Sequence, residues 1–254
     1  MTPISKRMCK MVWDLAKEAP VNPDIVHNHL IAKETRDRNA PNVIHAHVVS
    51  AMSKHKITPE TVCEKGCNLG FYLATLADLR YLEAAEQLGV NFAHRNNTGE
   101  TPLFYLFASG PMFYLFEYAT QPQKCLDFLL RSGKLTDTNT LGQTPLFGLH
   151  KMMEKEGMFS HIISQDLRSL TPLEHAEYIR HYEKLLHWAV KRGADIAHKD
   201  HANRCFLDPD PLDSSGLNDL LALFGEWRNQ IQNIVLTKTV ASQGVTGCSA
   251  KRRL

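Results

Sequence analysis

The sequence has 254 residues, 43% hydrophobic and 22% charged. That balance supports a packed core and excludes wholesale disorder, a collagen-like fibre and a multi-span membrane protein. Lys and Arg number 29 against 27 Asp and Glu, a formal charge of +2, so no global field selects nucleic acid or a membrane surface.

In chain order, Lys6 to Glu18 spaces its apolar residues as a helix. Pro20, Pro23 and Pro41 punctuate two more, Pro23 to Arg36 and Pro41 to Lys54. Residues 1–64 therefore read as a helical N-terminal cap. Asp14, Lys17 and Glu18 interrupt any apolar run near the start, which argues against a secretory signal. Cys9, Cys63, Cys67, Cys125, Cys205 and Cys248 show no disulfide spacing, and a chain this long needs no staples. The expected compartment is reducing and cytoplasmic.

A repeat follows. Gly99-Glu100-Thr101-Pro102-Leu103-Phe104 matches Gly142-Gln143-Thr144-Pro145-Leu146-Phe147. Upstream, Gly66 to Leu73 aligns with Gly99 to Leu106. Downstream, Asn203 stands where the others have Gly, a fitting exchange because Asn tolerates a left-handed backbone. Out of phase with this turn, Leu88-Gly89-Val90-Asn91-Phe92-Ala93-His94 matches Arg192-Gly193-Ala194-Asp195-Ile196-Ala197-His198, with a weaker copy around Gly133. Each copy closes an apolar run of helical spacing, and each Gly reads as the residue after a helix C-terminus. The unit is a turn, a short helix, a second helix, Gly and an extended loop.

This pattern resembles the ankyrin repeat over about Lys65 to Phe224. Thr-Pro reads as the start of the first helix, with Thr as cap and Pro where a missing N–H is harmless. The fold the resemblance implies is an all-α ankyrin-repeat solenoid of about four repeats with helical N-terminal and C-terminal caps. There are departures. Phe104 and Phe147 stand where the family usually has His, so the imidazole bonds that tie neighbouring repeats are expected to be absent, with apolar packing in their place. The repeats are also uneven, so the array, 65–236, carries insertions near 105–120 and 150–170.

The first insertion, within Leu103 to Ala119, is dense in Phe and Tyr and broken at Gly110-Pro111. It reads either as extra core or as an aromatic anchor surface. After the second, Thr171 and Glu174 form a capping box for a long helix ending near Arg192. Asp213 to Leu236 is expected to be helical, with Leu217, Leu220, Leu221, Phe224, Trp227 and Ile231 on one stripe closing the stack. Residues 237–254 are expected to be a disordered basic tail.

Catalytic motifs are sparse. His27 with His29 and His45 with His47 are spaced i,i+2, which points the rings apart on a helix. Cys63-x3-Cys67 lacks the second Cys pair of a zinc site. No glycine-rich phosphate loop, His-Glu-x-x-His or Gly-x-Ser-x-Gly occurs. The reading is of a non-enzyme without cofactor or metal, a monomer that binds a protein partner, with no nucleic acid and no membrane span. Members of the family that this chain resembles bind partners through loop tips and first helices. By position in the repeat, the partner-binding residues are Arg95, Asn97 and Glu100, then Asn139, Leu141 and Gln143, then Lys199, His201 and Arg204. Tyr105, Ser109 and Lys151 join them from the first helices. Irregular arrays of this kind look like effectors that an intracellular bacterium translocates into a host cytosol. The alternative function is an enzyme with its site in the N-terminal helices or the repeat-three insertion.

Overall fold

A computed structural model describes residues 3–17, 41–108, 122–151, 172–209 and 221–246. Among the described residues, two helices precede the repeats: α1 (Ile4–Lys17) and α2 (Pro41–His55). Their apolar faces, with Met8, Met11, Val12 and Leu15 on one and Ile44, Val48 and Met52 on the other, are buried. Asp14 closes the joint between them, accepting hydrogen bonds from Lys54 Nζ at 2.9 Å and meeting His55 Nε2 at 3.0 Å. The second N-terminal helix expected over Pro23 to Arg36 lies outside the described residues.

The repeats supply two rows of helices. The first-helix row holds α3 (Leu69–Ala74), α5 (Pro102–Leu106) and a short 3-10 turn, Pro145–Phe147, running into α7 (Gly148–Lys151). The second-helix row holds α4 (Leu79–Gln87), α6 (Pro122–Leu129) and α8 (Pro172–Lys191). Within each row a helix packs on its counterpart in the next repeat: α3 on α5 and α5 on the 3-10 turn, α4 on α6 and α6 on α8. The cap helix α2 packs on α4, and so extends the second row backwards. A single apolar core, from Met8 to Ile231, runs through the stack. Each fully buried Leu or Phe in it contributes roughly 1.5–3 kcal/mol.

Aromatic pairs fasten neighbouring repeats. Phe71 meets Tyr105 edge-on at 5.1 Å and Phe92 meets Phe128 edge-on at 5.1 Å. Tyr182 of α8 packs edge-on against Phe224 at 5.6 Å, and its hydroxyl donates to the Phe107 carbonyl at 2.9 Å. Phe104 and Phe107 are buried, so the start of the first aromatic insertion is core. Its remainder from residue 109, including Ser109 and the Gly110-Pro111 break, lies outside the described residues. So do residues 152–171, with Thr171 of the expected capping box.

The last helix, α9 (Gly225–Thr246), buries Trp227 and Ile231 against the stack, and Leu221 and Phe224 just before it are buried too. The expected stripe is present at these four positions; Leu217 and Leu220 lie outside the described residues. The helix also continues past Thr237, where the sequence reading begins a disordered tail. The boundary is corrected: the helix runs to Thr246, and within it the Thr237 and Thr239 hydroxyls donate back to the carbonyls of Asn233 and Val235, one turn earlier. Among the described residues, no helix is long and apolar enough to cross a membrane.

Candidate functional site: the ladder of loop tips

Four loop tips share one frame. Each is a five-residue turn: Cys63–Cys67, Asn96–Glu100, Asn139–Gln143 and Asp200–Arg204. The first N–H donates to the fifth carbonyl at 2.9–3.0 Å, and the fourth N–H returns to the first carbonyl at 2.8–3.0 Å. The fourth residue must take a left-handed backbone, and Gly66, Gly99, Gly142 and Asn203 do so with φ of 78°, 79°, 74° and 63°. In the last three tips, the side-chain Oδ1 of the first residue accepts the N–H groups of the third and fifth. Asn96 holds Thr98 and Glu100, Asn139 holds Leu141 and Gln143, and Asp200 holds Ala202 and Arg204, at 2.9–3.0 Å. The sequence signal for this is an Asn or Asp three residues before the Gly or Asn.

The tips are joined by one backbone bond each, from the second N–H of a tip to the third carbonyl of the tip before it. These are Asn97 to Lys65 at 3.1 Å, Thr140 to Thr98 at 2.9 Å and His201 to Leu141 at 3.0 Å. Beneath them runs a side-chain ladder. Asn96 Nδ2 donates to Cys67 Sγ at 3.6 Å and to Glu100 Oε2 at 2.9 Å. Asn139 Nδ2 donates to Glu100 Oε1 at 3.0 Å and to Gln143 Oε1 at 3.1 Å. Gln143 Nε2 then reaches Asp200 Oδ2 at 3.4 Å, which Arg204 also holds at 3.1 Å. Burial pushes the Asp200 carboxyl upward, but the N–H and guanidinium of Arg204 and the amide of Gln143 outweigh it and hold the group below its usual range.

Imidazoles tie the repeats after all, from places other than the family's usual one. His94 Nε2 meets the Gly66 carbonyl at 2.8 Å, and His198 Nε2 meets that of Gly142 at 2.7 Å. In the intervening repeat Asp137 takes the equivalent place and pairs with Arg95 at 3.3 Å. His150 Nε2 meets the Phe206 carbonyl at 2.6 Å while its ring stacks on Phe147. The expectation that imidazole ties are missing is therefore corrected. The cap role read for Thr is corrected too. Thr101 and Thr144 occupy cap positions, but their hydroxyls make no cap bond. The N–H groups of Phe104 and Phe147 go instead to the Thr backbone carbonyls, at 3.0 and 2.9 Å. Both hydroxyl oxygens are buried with no partner among the described residues.

The sequence-derived partner residues now separate. Glu100 and Asn139 are buried, 1% and 6% exposed, and belong to the ladder rather than to a surface. Gln143 and Arg204 are half-buried members of the same ladder. Tyr105 is half-buried, with its hydroxyl 3.4 Å from Cys67 Sγ. Arg95, Asn97, Leu141, Lys199 and His201 are exposed. Lys151 ends α7, which places it on the first-helix row. Ser109 lies outside the described residues. Among the described residues, no group of three or more His, Cys, Asp or Glu side chains is placed to hold a metal ion.

No family model and no curated protein matches the chain. Solved structures with some likeness include the ankyrin repeat domain of Bcl-3, at TM-score 0.31 and 17% identity, covering 87% of this chain and 98% of that one. The ankyrin repeat protein EF0377 follows at TM-score 0.30 and 15% identity, covering 78% and 96%. A chain from the complex of the Bdellovibrio bacteriovorus predatory endopeptidase Bd0816 with the immunity protein Bd3460 gives TM-score 0.29 and 18% identity, covering 78% and 96%. Likeness at this level carries no argument, and the architecture rests on the molecule's own geometry. Its left-handed turn residues, its paired helix rows and its bonded tips show a helical solenoid of turn, helix, helix and loop units, the unit read from the sequence.

Proposed function

We propose that the protein is a non-catalytic scaffold that binds a partner protein across its loop tips and first-helix row. One observation carries this reading. Within every tip, the frame residues are tied down while the second and third residues are exposed and differ from tip to tip. These pairs are Glu64-Lys65, Asn97-Thr98, Thr140-Leu141 and His201-Ala202. A constant frame presenting variable side chains is how repeat folds build recognition surfaces. Leu141 is 56% exposed at the centre of that row, where an apolar anchor contributes most to an interface.

In this reading Arg95, Asn97, Leu141, Lys199 and His201 face the partner, flanked by Tyr105 and Lys151 of the first-helix row, and Ser109 joins them by its position in the repeat sequence alone. Glu100, Asn139, Gln143 and Arg204 act one step back by holding the tips in register. The protein works as a monomer in the cytoplasm. On analogy alone, that cytoplasm is a host cell's, reached by translocation from an intracellular bacterium. The rival reading as an enzyme, with its site in the N-terminal helices or the repeat-three insertion, gains no observation among the described residues.

The test is a triple variant, Lys199→Glu, Leu141→Asp and His201→Glu, at exposed positions outside the ladder. Affinity capture from cell lysate is compared with the unaltered protein, and circular dichroism checks the fold. Loss of the partners with unchanged helicity and Tm supports the proposal. Retention of the same partners by the folded variant overturns it.

A further inference from the structure

The first tip is held by sulfur where the other three are held by oxygen. Cys63 and Cys67 stand at its first and fifth positions, the places of Asn96 and Glu100, Asn139 and Gln143, and Asp200 and Arg204. The seat that receives an Asn or Asp oxygen elsewhere receives Cys63 Sγ here. In the shared turn the N–H groups of Lys65 and Cys67 stand where those of Thr98 and Glu100 reach Asn96 Oδ1, and the Cys67 thiol and the Tyr72 phenol also favour the Cys63 anion. Backbone N–H groups converging on a sulfur favour the thiolate, as they favour any anion. The Cys67 thiol, first among these donors and against the opposing effect of burial, helps hold Cys63 well below the usual thiol range. Cys67 is pushed upward, by Cys63 first and by burial second, and so keeps its proton.

The backbone presents the two sulfurs to each other. Val62 and Asn68 form an antiparallel bridge, and inside it Cys63 N donates to Cys67 O at 2.9 Å. Residues opposed in such a ladder lie about 4.5–5.5 Å apart at Cα. That is within the roughly 4.4–6.8 Å that a disulfide spans. Cys63 is only 5% exposed, but its neighbours Val62, Glu64 and Lys65 are exposed, so the turn stands at the surface and admits only a small reagent. Cys9 of α1 faces the same sulfurs, its thiol pushed up to about 11 by burial and then by Cys63. Tyr105 approaches from α5. The remaining described cysteines, Cys125 and Cys205, are buried and have their thiols pushed up chiefly by burial.

We propose that Cys63 and Cys67 form a peroxide-reactive dithiol, with Cys63 as nucleophile and Cys67 as resolving thiol. The Cys63 thiolate attacks one oxygen of hydrogen peroxide. An S–O bond forms, the O–O bond breaks, and the departing hydroxide takes a proton from solvent to become water. Cys63 is then a sulfenic acid. Cys67 sulfur attacks Cys63 sulfur; the S–S bond forms, the S–O bond breaks, and a second water leaves with the Cys67 proton. Two thiols and one peroxide become one disulfide and two waters, and a cellular thiol such as glutathione reverses the step by exchange. In the disulfide, Cys67 no longer presents a thiol to Asn96 and Tyr105, so the ladder is altered at its first rung.

The test treats the full chain with stoichiometric hydrogen peroxide, alkylates the remaining thiols and digests with trypsin without reductant. Trypsin cuts after Lys65, between the two cysteines, so the disulfide appears as peptide 57–65 linked to peptide 66–80 and vanishes on reduction. In Cys67→Ser the sulfenic acid at Cys63 persists and is captured by dimedone. Cys63 is oxidised on the order of tenfold or more faster than Cys125 or Cys205. Recovery of Cys63 and Cys67 as free thiols, or preferential oxidation of Cys9, overturns the proposal. The digest of the unaltered protein decides this even where the variant fails to fold.

Discussion

Glu100 and Asn139 belong to different repeats and complete each other. Asn139 Nδ2 donates to Glu100 Oε1 at 3.0 Å across 39 residues of sequence, and both side chains are buried. The other Glu100 oxygen is taken by Asn96. Glu100→Ala therefore takes one buried bond from each of two amides, leaving Asn96 only Cys67 Sγ and Asn139 only Gln143 Oε1, and the expected loss is about 1–3 kcal/mol in urea unfolding. The exposed Thr140→Ala serves as the comparison; equal losses for the two would contradict the ladder.

Gly148 and Gly193 separate close packing from backbone strain. A Cβ on Gly148 would lie 1.9 Å from the Phe104 carbonyl oxygen, so Gly148→Ala must move backbone and is expected to cost about 3 kcal/mol. Gly193 has φ of 91° with nothing within 4 Å of an added Cβ. Gly193→Ala meets only the left-handed penalty of about 1–2 kcal/mol. Thermal unfolding of the two variants side by side gives the order; a milder effect at Gly148 would refute the packing.

Thr101 and Thr144 carry buried hydroxyls without partners. Replacing such a group by an isosteric methyl removes a desolvation penalty and leaves packing intact. Thr101→Val and Thr144→Val are expected to lie within about 1 kcal/mol of the unaltered protein or to be more stable. A loss of Tm by several degrees in both would mean that the hydroxyls are bonded.

Glu64 ties the first tip to the start of α1, accepting from Ile4 N at 2.6 Å and Ser5 N at 3.2 Å. Its own N–H first, then those of Ile4 and Ser5, lower its carboxyl from 4.5 to about 2. Asp14 is lowered likewise, by Lys54 first and with help from His55. Both folded values are depressed, so both groups support the fold above their unfolded values and lose that support as acid titrates them. For Glu64 the window runs from 4.5 down to about 2. NMR titration should find the Glu64 carboxyl near the low end, and Glu64→Gln should flatten the acid limb of stability. Titration at the ordinary value would disprove the tie.

Much of the frame is legible in the sequence because it depends on local chemistry. Gly66, Gly99, Gly142 and Asn203 announce left-handed turns, and Pro102 and Pro145 announce helix starts; both hold in the structure. What escapes is set by partners far along the chain. Glu100 reads as a tip residue, and only its bond to Asn139 in the next repeat shows that it points inward. Thr101 reads as a cap, yet the Phe104 N–H prefers the Thr101 carbonyl. His94 and His198 are recognisable as equivalent, but that each grips a glycine carbonyl of the preceding tip becomes visible only in three dimensions. The sulfur seat at Cys63 follows the same Gly spacing as the Asn tips, and residue type hides it.

The bond from His94 to Gly66 closes a span of 28 residues, and the equivalent bond from His198 to Gly142 closes one of 56. The contour between fixed ends has doubled and the ends have not moved, an entropic difference of only about 0.6 kcal/mol for a flexible loop. Chain length and architecture are thus decoupled in this molecule. His198 closes on the Gly142 carbonyl as His94 closes on that of Gly66, whatever length of chain the repeat holds between them.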